Sequence, residues 1–150
     1  MNKLLINDFK QIINLIQSAR YKALQSVNKE QIELYWRVGE YVSKKIAAAE
    51  WGEGVVDDLA EYLKNKCPDI KGFNRRGLYR MRQFYETYKD YKFVSPLVTQ
   101  IAWTHNLIIL SKTKSIEEKE FYLKLVVRDK LGKRELERQI DSGLFERTIS

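Results

Sequence analysis

Residues 71–91 read KGFNRRGLYRMRQFYETYKDY. Leu78, Met81, Phe84 or Tyr85, and Tyr88 recur at three- and four-residue intervals, so one face of a helix is apolar. Arg76, Arg80, Gln83 and Thr87 form the opposite stripe, flanked by Arg75 and Tyr79. Asn74 is placed to cap this helix, which the spacing predicts over 75–91. The segment before it, Pro68-Asp69-Ile70-Lys71-Gly72-Phe73, reads as a turn. Ahead of that turn, Val56, Leu59, Ala60, Leu63 and Cys67 share one stripe and predict a helix over 55–67. Helix, turn and helix follow one another, with the arginines on the second.

The rest of the chain agrees with an all-α fold: one compact helical domain over residues 1–150, with helix-turn-helix-like pairs. Seven Gly and two Pro are too few for the turns of a β-sandwich. Phe9, Ile12, Ile13, Ile16, Ala19, Ala23 and Val27 predict a helix over 8–27, capped by Asn7. Asn28 is placed to cap a second, over 29–49, with Gln31 in the capping-box position. Its apolar residues fall on two stripes. Ile32, Tyr35, Gly39, Val42, Ile46 and Ala49 make one, and Leu34, Val38 and Tyr41 the other. Such a helix packs against two neighbours, within the chain or across a dimer. Gly52 and Gly54 break the chain. Further helices are expected from Pro96, over 105–112 with Thr104 as cap, over 116–130 behind the Ser115/Glu118 capping box, over 133–141, and from Leu144. The two long N-terminal helices and the shorter later ones are expected to share one core.

The net charge of +7 is unevenly spread. Residues 1–63 hold eight basic and nine acidic side chains, whereas 64–92 hold nine and three. A concentrated basic field attracts polyanions, and nucleic acid releases counterions on binding such a field. Arg bonds guanine edges or phosphates, Gln pairs with adenine, and Tyr donates to phosphate. The expected nucleic-acid contacts are therefore Arg75, Arg76, Tyr79, Arg80 and Gln83, with Lys66 and Lys71 gripping the adjacent backbone. Lys133, Arg134 and Arg138 form a second candidate, weakened by Glu135 and Glu137 beside them.

Catalytic and metal chemistry find little support. Cys67 is the only cysteine and His105 the only histidine, so neither a disulfide nor a Cys/His metal cluster can form within the chain. Cys67 completes an apolar stripe and reads as structural. His105 reads as a hydrogen-bonding residue near a helix start. Pro68-Asp69 with Glu117-Glu118-Lys119 matches the letters of a PD-(D/E)XK nuclease motif. That chemistry needs two acids on adjoining strands, and no strand is signalled here. The uncharged run from Phe93 to Ser111 is interrupted by Pro96, His105, Asn106 and several hydroxyl residues, which is too polar for a membrane span. The N-terminus lacks a signal-peptide core. The expectation is a cytoplasmic, non-enzymatic protein without cofactor or membrane partner.

Three blocks carry a family resemblance. They are Lys71-Gly72-Phe73-Asn74 with Leu78 and Met81-Arg82-Gln83-Phe84-Tyr85, then Trp103-Thr104-His105-Asn106, then Arg134-Glu135-Leu136-Glu137-Arg138-Gln139-Ile140 with Phe145-Glu146-Arg147. With them the chain resembles, over residues 7–147, the N-terminal domain of the bacterial YhcG-like proteins. That pattern usually has Trp-Ser before the last block, where this chain has Leu131-Gly132. Proteins of that family continue into a PD-(D/E)XK nuclease-like domain, which is not expected within residues 1–150. The resemblance implies a non-catalytic module that targets or regulates a nuclease through double-stranded DNA. The alternative is a protein-interaction or dimerisation module of such a system, homo-oligomeric through the long N-terminal helices.

Overall fold

A computed structural model describes residues 3–52, 54–92 and 94–149. Among them are eight helices and no strand: α1 (Lys3–Ala47), α2 (Val55–Lys66), α3 (Arg75–Tyr88), α4 (Ser95–Val98), α5 (Trp103–Lys112), α6 (Ile116–Asp129), α7 (Lys133–Asp141) and α8 (Leu144–Ile149).

The expected pair of N-terminal helices is one helix of 45 residues. Neither Asn7 nor Asn28 caps anything; both lie inside it. An interior Asn costs a helix less than about 1 kcal/mol. A break would cost several backbone hydrogen bonds, and no Gly or Pro precedes Gly39 to force one. The helix ends at Ala47, and Ala49 takes a left-handed conformation (φ 57°) ahead of the glycines expected to break the chain.

The two halves of α1 meet different surroundings. Ile32, Tyr35, Gly39, Val42 and Ser43 are buried. Gly39 marks the crossing with α3: a Cβ there would run into the Met81 carbonyl. α3 returns Leu78, Met81, Phe84 and Tyr88, all essentially buried. Aromatic rings close the joint. Phe84 meets Trp36 at 5.5 Å, Tyr88 at 5.6 Å and Trp103 at 5.2 Å, and Tyr35 meets Trp103 at 4.8 Å and Phe73 at 5.8 Å. In contrast, Phe9, Ile12, Ile13 and Ile16 stay exposed. The first half of α1 therefore lies outside the shared core. Lys130 sits over the ring of Tyr21, 4.3 Å from its centroid, beside that bare segment.

α4 to α8 pack as the second part of the molecule, around Val94, Val98, Ile109, Tyr122, Leu123 and Leu136. Their joints are polar as well as apolar. The Asn106 amide is fully buried and donates to the carbonyls of Val98 (3.0 Å) and Ala102 (3.3 Å). His105 Nε2–H donates to the Leu131 carbonyl at 2.9 Å, tying α5 to the turn before α7. Tyr122 donates to the Gln139 carbonyl (3.4 Å) and accepts from Phe145 N–H (3.1 Å). The Trp103 to Asn106 block is thus an assembly point. α5 starts at Trp103, behind Ala102, and not at the expected Thr104 cap. The forward half of the Ser115/Glu118 box forms, with Ser115 accepting from Glu118 N–H, but the Glu118 carboxylate accepts from Lys114 N–H, one residue ahead of the cap.

Candidate nucleic-acid interface

The α3 face is built locally. The Asn74 side chain accepts from Gly77 N–H at 2.8 Å, as its position predicts. Gly72 has φ +88°, and a Cβ on Gly77 would collide with the Gly72 carbonyl. Two glycines therefore let the turn close against the first turn of α3. With Leu78, Met81, Phe84 and Tyr88 turned onto α1, the other side faces solvent.

Arg75, Arg76, Tyr79, Arg80 and Gln83 together line one shallow groove of about 540 Å³. Five of the ten expected contacts are brought to one place. Arg75 is partly engaged, with Asp57 of α2 at 3.2 Å and the Tyr79 ring 5.6 Å from its guanidinium. Arg76, Arg80 and Gln83 make no ion pair or side-chain hydrogen bond among the described residues, so their donors are free. The neighbouring Arg82 is not free: it holds Glu86 at 2.9 Å, and Ser43 of α1 donates to the same carboxylate at 2.8 Å. Burial works to raise the Glu86 carboxyl, but those two hydrogen bonds and the Arg82 charge outweigh it and hold it below the ordinary range.

The remaining candidates lie elsewhere. Lys66 is exposed on the last turn of α2, 6.0 Å from the Tyr62 ring centroid. Lys71 lines a different groove, of about 960 Å³, between the α2–α3 turn and residues 26–37 of α1. Neither reaches the α3 groove. Arg134 and Arg138 line a groove of about 540 Å³ on α7, and they share it with Glu137 and Asp141. Arg138 is held by Glu135 at 2.8 Å, and Lys112 approaches Asp141 at 3.1 Å. Hydrogen bonds from Arg138 and Gln139 keep the Glu135 carboxyl below its ordinary range, so this ion pair persists as the pH falls into the mildly acid range. Lys133 is exposed beside that groove and does not line it.

Other expected roles resolve into structure. Cys67 is half-buried at the end of α2 and lines a groove of about 640 Å³ with Leu34 and Phe73, rather than completing a closed core. The letters of the nuclease motif are scattered. Asp69 lies in the α2–α3 turn, Glu117 is exposed in the first turn of α6, and the buried Lys119 donates to the Thr113 carbonyl (2.9 Å) and hydroxyl (3.0 Å). Burial lowers the Lys119 pKa, against the opposing charge of Glu118. Among the described residues no group of three His, Cys, Asp or Glu could hold a metal ion, and no helix is long and apolar enough to cross a membrane. The pairing of Asp57 with Arg75 has no signal in the sequence, because only the fold brings α2 to the start of α3.

A long helix with a short one strapped across it, an arginine face turned outward and a second helical layer behind define a small all-α module. The chain belongs to the family of the DUF1016 N-terminal domain, which it matches over residues 11–147. No curated protein and no solved structure matches it.

Proposed function

We propose that this chain is a non-catalytic DNA-binding module, of the kind attached to a PD-(D/E)XK nuclease-like domain in the YhcG-like proteins. The observation that carries this reading is the groove on α3, where Arg76, Arg80 and Gln83 converge with their donors unclaimed. Free guanidinium groups on a rigid helix can meet phosphate or guanine without first breaking an internal pair. The N-terminus of α3 adds its own attraction for phosphate. The partner is double-stranded DNA and the compartment the cytoplasm. The α7 arginines are secondary contacts, because acids in their own groove compete for them.

Salt titration of duplex binding tests the reading. The logarithm of affinity should fall linearly with the logarithm of salt concentration, with a slope of about −0.9 per phosphate neutralised. Failure of duplex, single strand and RNA alike to bind at low salt would sink it. The bare apolar stripe on α1 would then favour the second reading, a protein-interaction module.

A further inference from the structure

The apolar stripe on α1 does not stop where the folded body begins. Phe9, Ile13, Ile16, Val27, Leu34 and Tyr41 lie along it, each between 47% and 62% exposed, and Ala23 is exposed among them. At about 100° per residue, this line is turned roughly a third of a turn from the Ile32–Tyr35–Gly39–Val42 face that packs on α3. The chain's own body meets it only towards the C-terminal end, where Tyr41 lies 5.9 Å from the Trp51 ring and Leu34 lines the grooves beside the α2–α3 turn. From Phe9 to Tyr41 it runs about 48 Å at 1.5 Å per residue. Apolar side chains strung along a line this long, interrupted by Arg20, Glu30 and Arg37, are more than a soluble monomer usually leaves bare.

The stripe keeps a seven-residue repeat. One row is Phe9, Ile16, Ala23, Glu30 and Arg37; the other is Ile13, Arg20, Val27, Leu34 and Tyr41. Two copies running in opposite directions about Gln25 set one row against the other. Phe9 then faces Tyr41, Ile16 faces Leu34, Ala23 faces Val27, Arg20 faces Glu30, and Ile13 lies under the stem of Arg37. Two copies in parallel would instead stack Arg20 on Arg20, Glu30 on Glu30 and Arg37 on Arg37, which like charges oppose. The wider charge distribution has the same sense. Residues 1–27 carry four basic side chains and one acidic, whereas 27–41 carry two basic and three acidic. An antiparallel arrangement lays the basic arm of each copy along this mildly acidic stretch of the other.

We propose that the occupant of this stripe is a second copy of the same chain, with the two α1 helices paired antiparallel and each N-terminal arm seated along Val27 to Tyr41 of its partner. The stripe residues are exposed in the single chain, so substituting them leaves the fold intact, which circular dichroism checks. The test uses a Cys67→Ser background. Chains carrying Phe9→Cys are mixed with chains carrying Tyr41→Cys and mildly oxidised. The mixture should give a disulfide-linked dimer, while neither variant alone should link to itself. In sedimentation, Arg20→Glu should raise the dimer dissociation constant about tenfold or more. Adding Glu30→Arg to the same chain should restore it. A monomer at every concentration up to the solubility limit would overturn the proposal. So would self-linking by Phe9→Cys alone, or a reversed-charge double variant no tighter than Arg20→Glu.

Discussion

α3 and α7 open alike and differ in what surrounds them. Each follows a glycine-containing turn, begins with two basic residues, and buries one apolar face. α3 is capped by the Asn74 side chain, its acids sit away from the groove, and Arg76 and Arg80 remain free. α7 has Gly132 as its cap residue with no side-chain bond, and Glu137 and Asp141 share the groove of its arginines. The lesson is that a count of basic residues measures a field only before local pairing. What recognises an anion is a cation with no closer carboxylate, held on a face that does not move.

The largest effect expected breaks the α3 side at its base. Phe84→Ala should cost about 3–5 kcal/mol of unfolding free energy in a urea titration, since the ring is fully buried among Trp36, Tyr88 and Trp103. A loss under 1 kcal/mol would mean that α3 does not depend on this cluster.

Arg76→Ala and Arg80→Ala act on the outward face alone. Each should weaken duplex binding by about 1–3 kcal/mol if it reads a base, or lower the salt slope by about one if it holds a phosphate. Arg134→Ala and Arg138→Ala should do less, being surrounded by acids. Equal losses at all four, or an equal loss from Lys44→Ala on the near-neutral N-terminal half, would mean diffuse electrostatics and remove the distinction between the helices.

On the α7 side, His105→Ala withdraws the donor that the Leu131 carbonyl accepts from. That part-buried acceptor left unpaired should cost about 1–3 kcal/mol of stability. Thermal unfolding reads it, and an unchanged midpoint would show that water replaces the imidazole.

Asp57→Asn sharpens the comparison from the other direction. It releases Arg75 from an exposed pair, so duplex affinity should rise, by no more than the ~1 kcal/mol such pairs are worth. A fall in affinity would mean that Asp57 positions Arg75 rather than competing for it.

The smallest effect concerns the cap. Gly132 has φ −75°, and a Cβ on it meets nothing within 4 Å. Gly132→Ser should therefore stabilise α7 by a few tenths of a kcal/mol. Destabilisation would show that the turn needs glycine for another reason.

The outward face of α3 and its Asn74 cap were legible in the sequence, although the helix ends at Tyr88 rather than at residue 91, and so was the forward half of the Ser115/Glu118 box. Those features depend on neighbours three or four positions apart, and a helix brings such neighbours together whatever else the chain does. The fate of α1 was not legible. Asn28 could cap a new helix or ride inside an old one, and the two options differ locally by little. Periodicity marked the stripe from Phe9 to Val27 as apolar, which says what a face is made of and not what lies against it. Burial of Ile32, the close crossing at Gly39, the claim of Asp57 on Arg75 and the separation of Lys66 and Lys71 from the α3 groove all join residues distant in sequence. Only the tertiary structure decides such contacts, because each depends on where other helices come to rest.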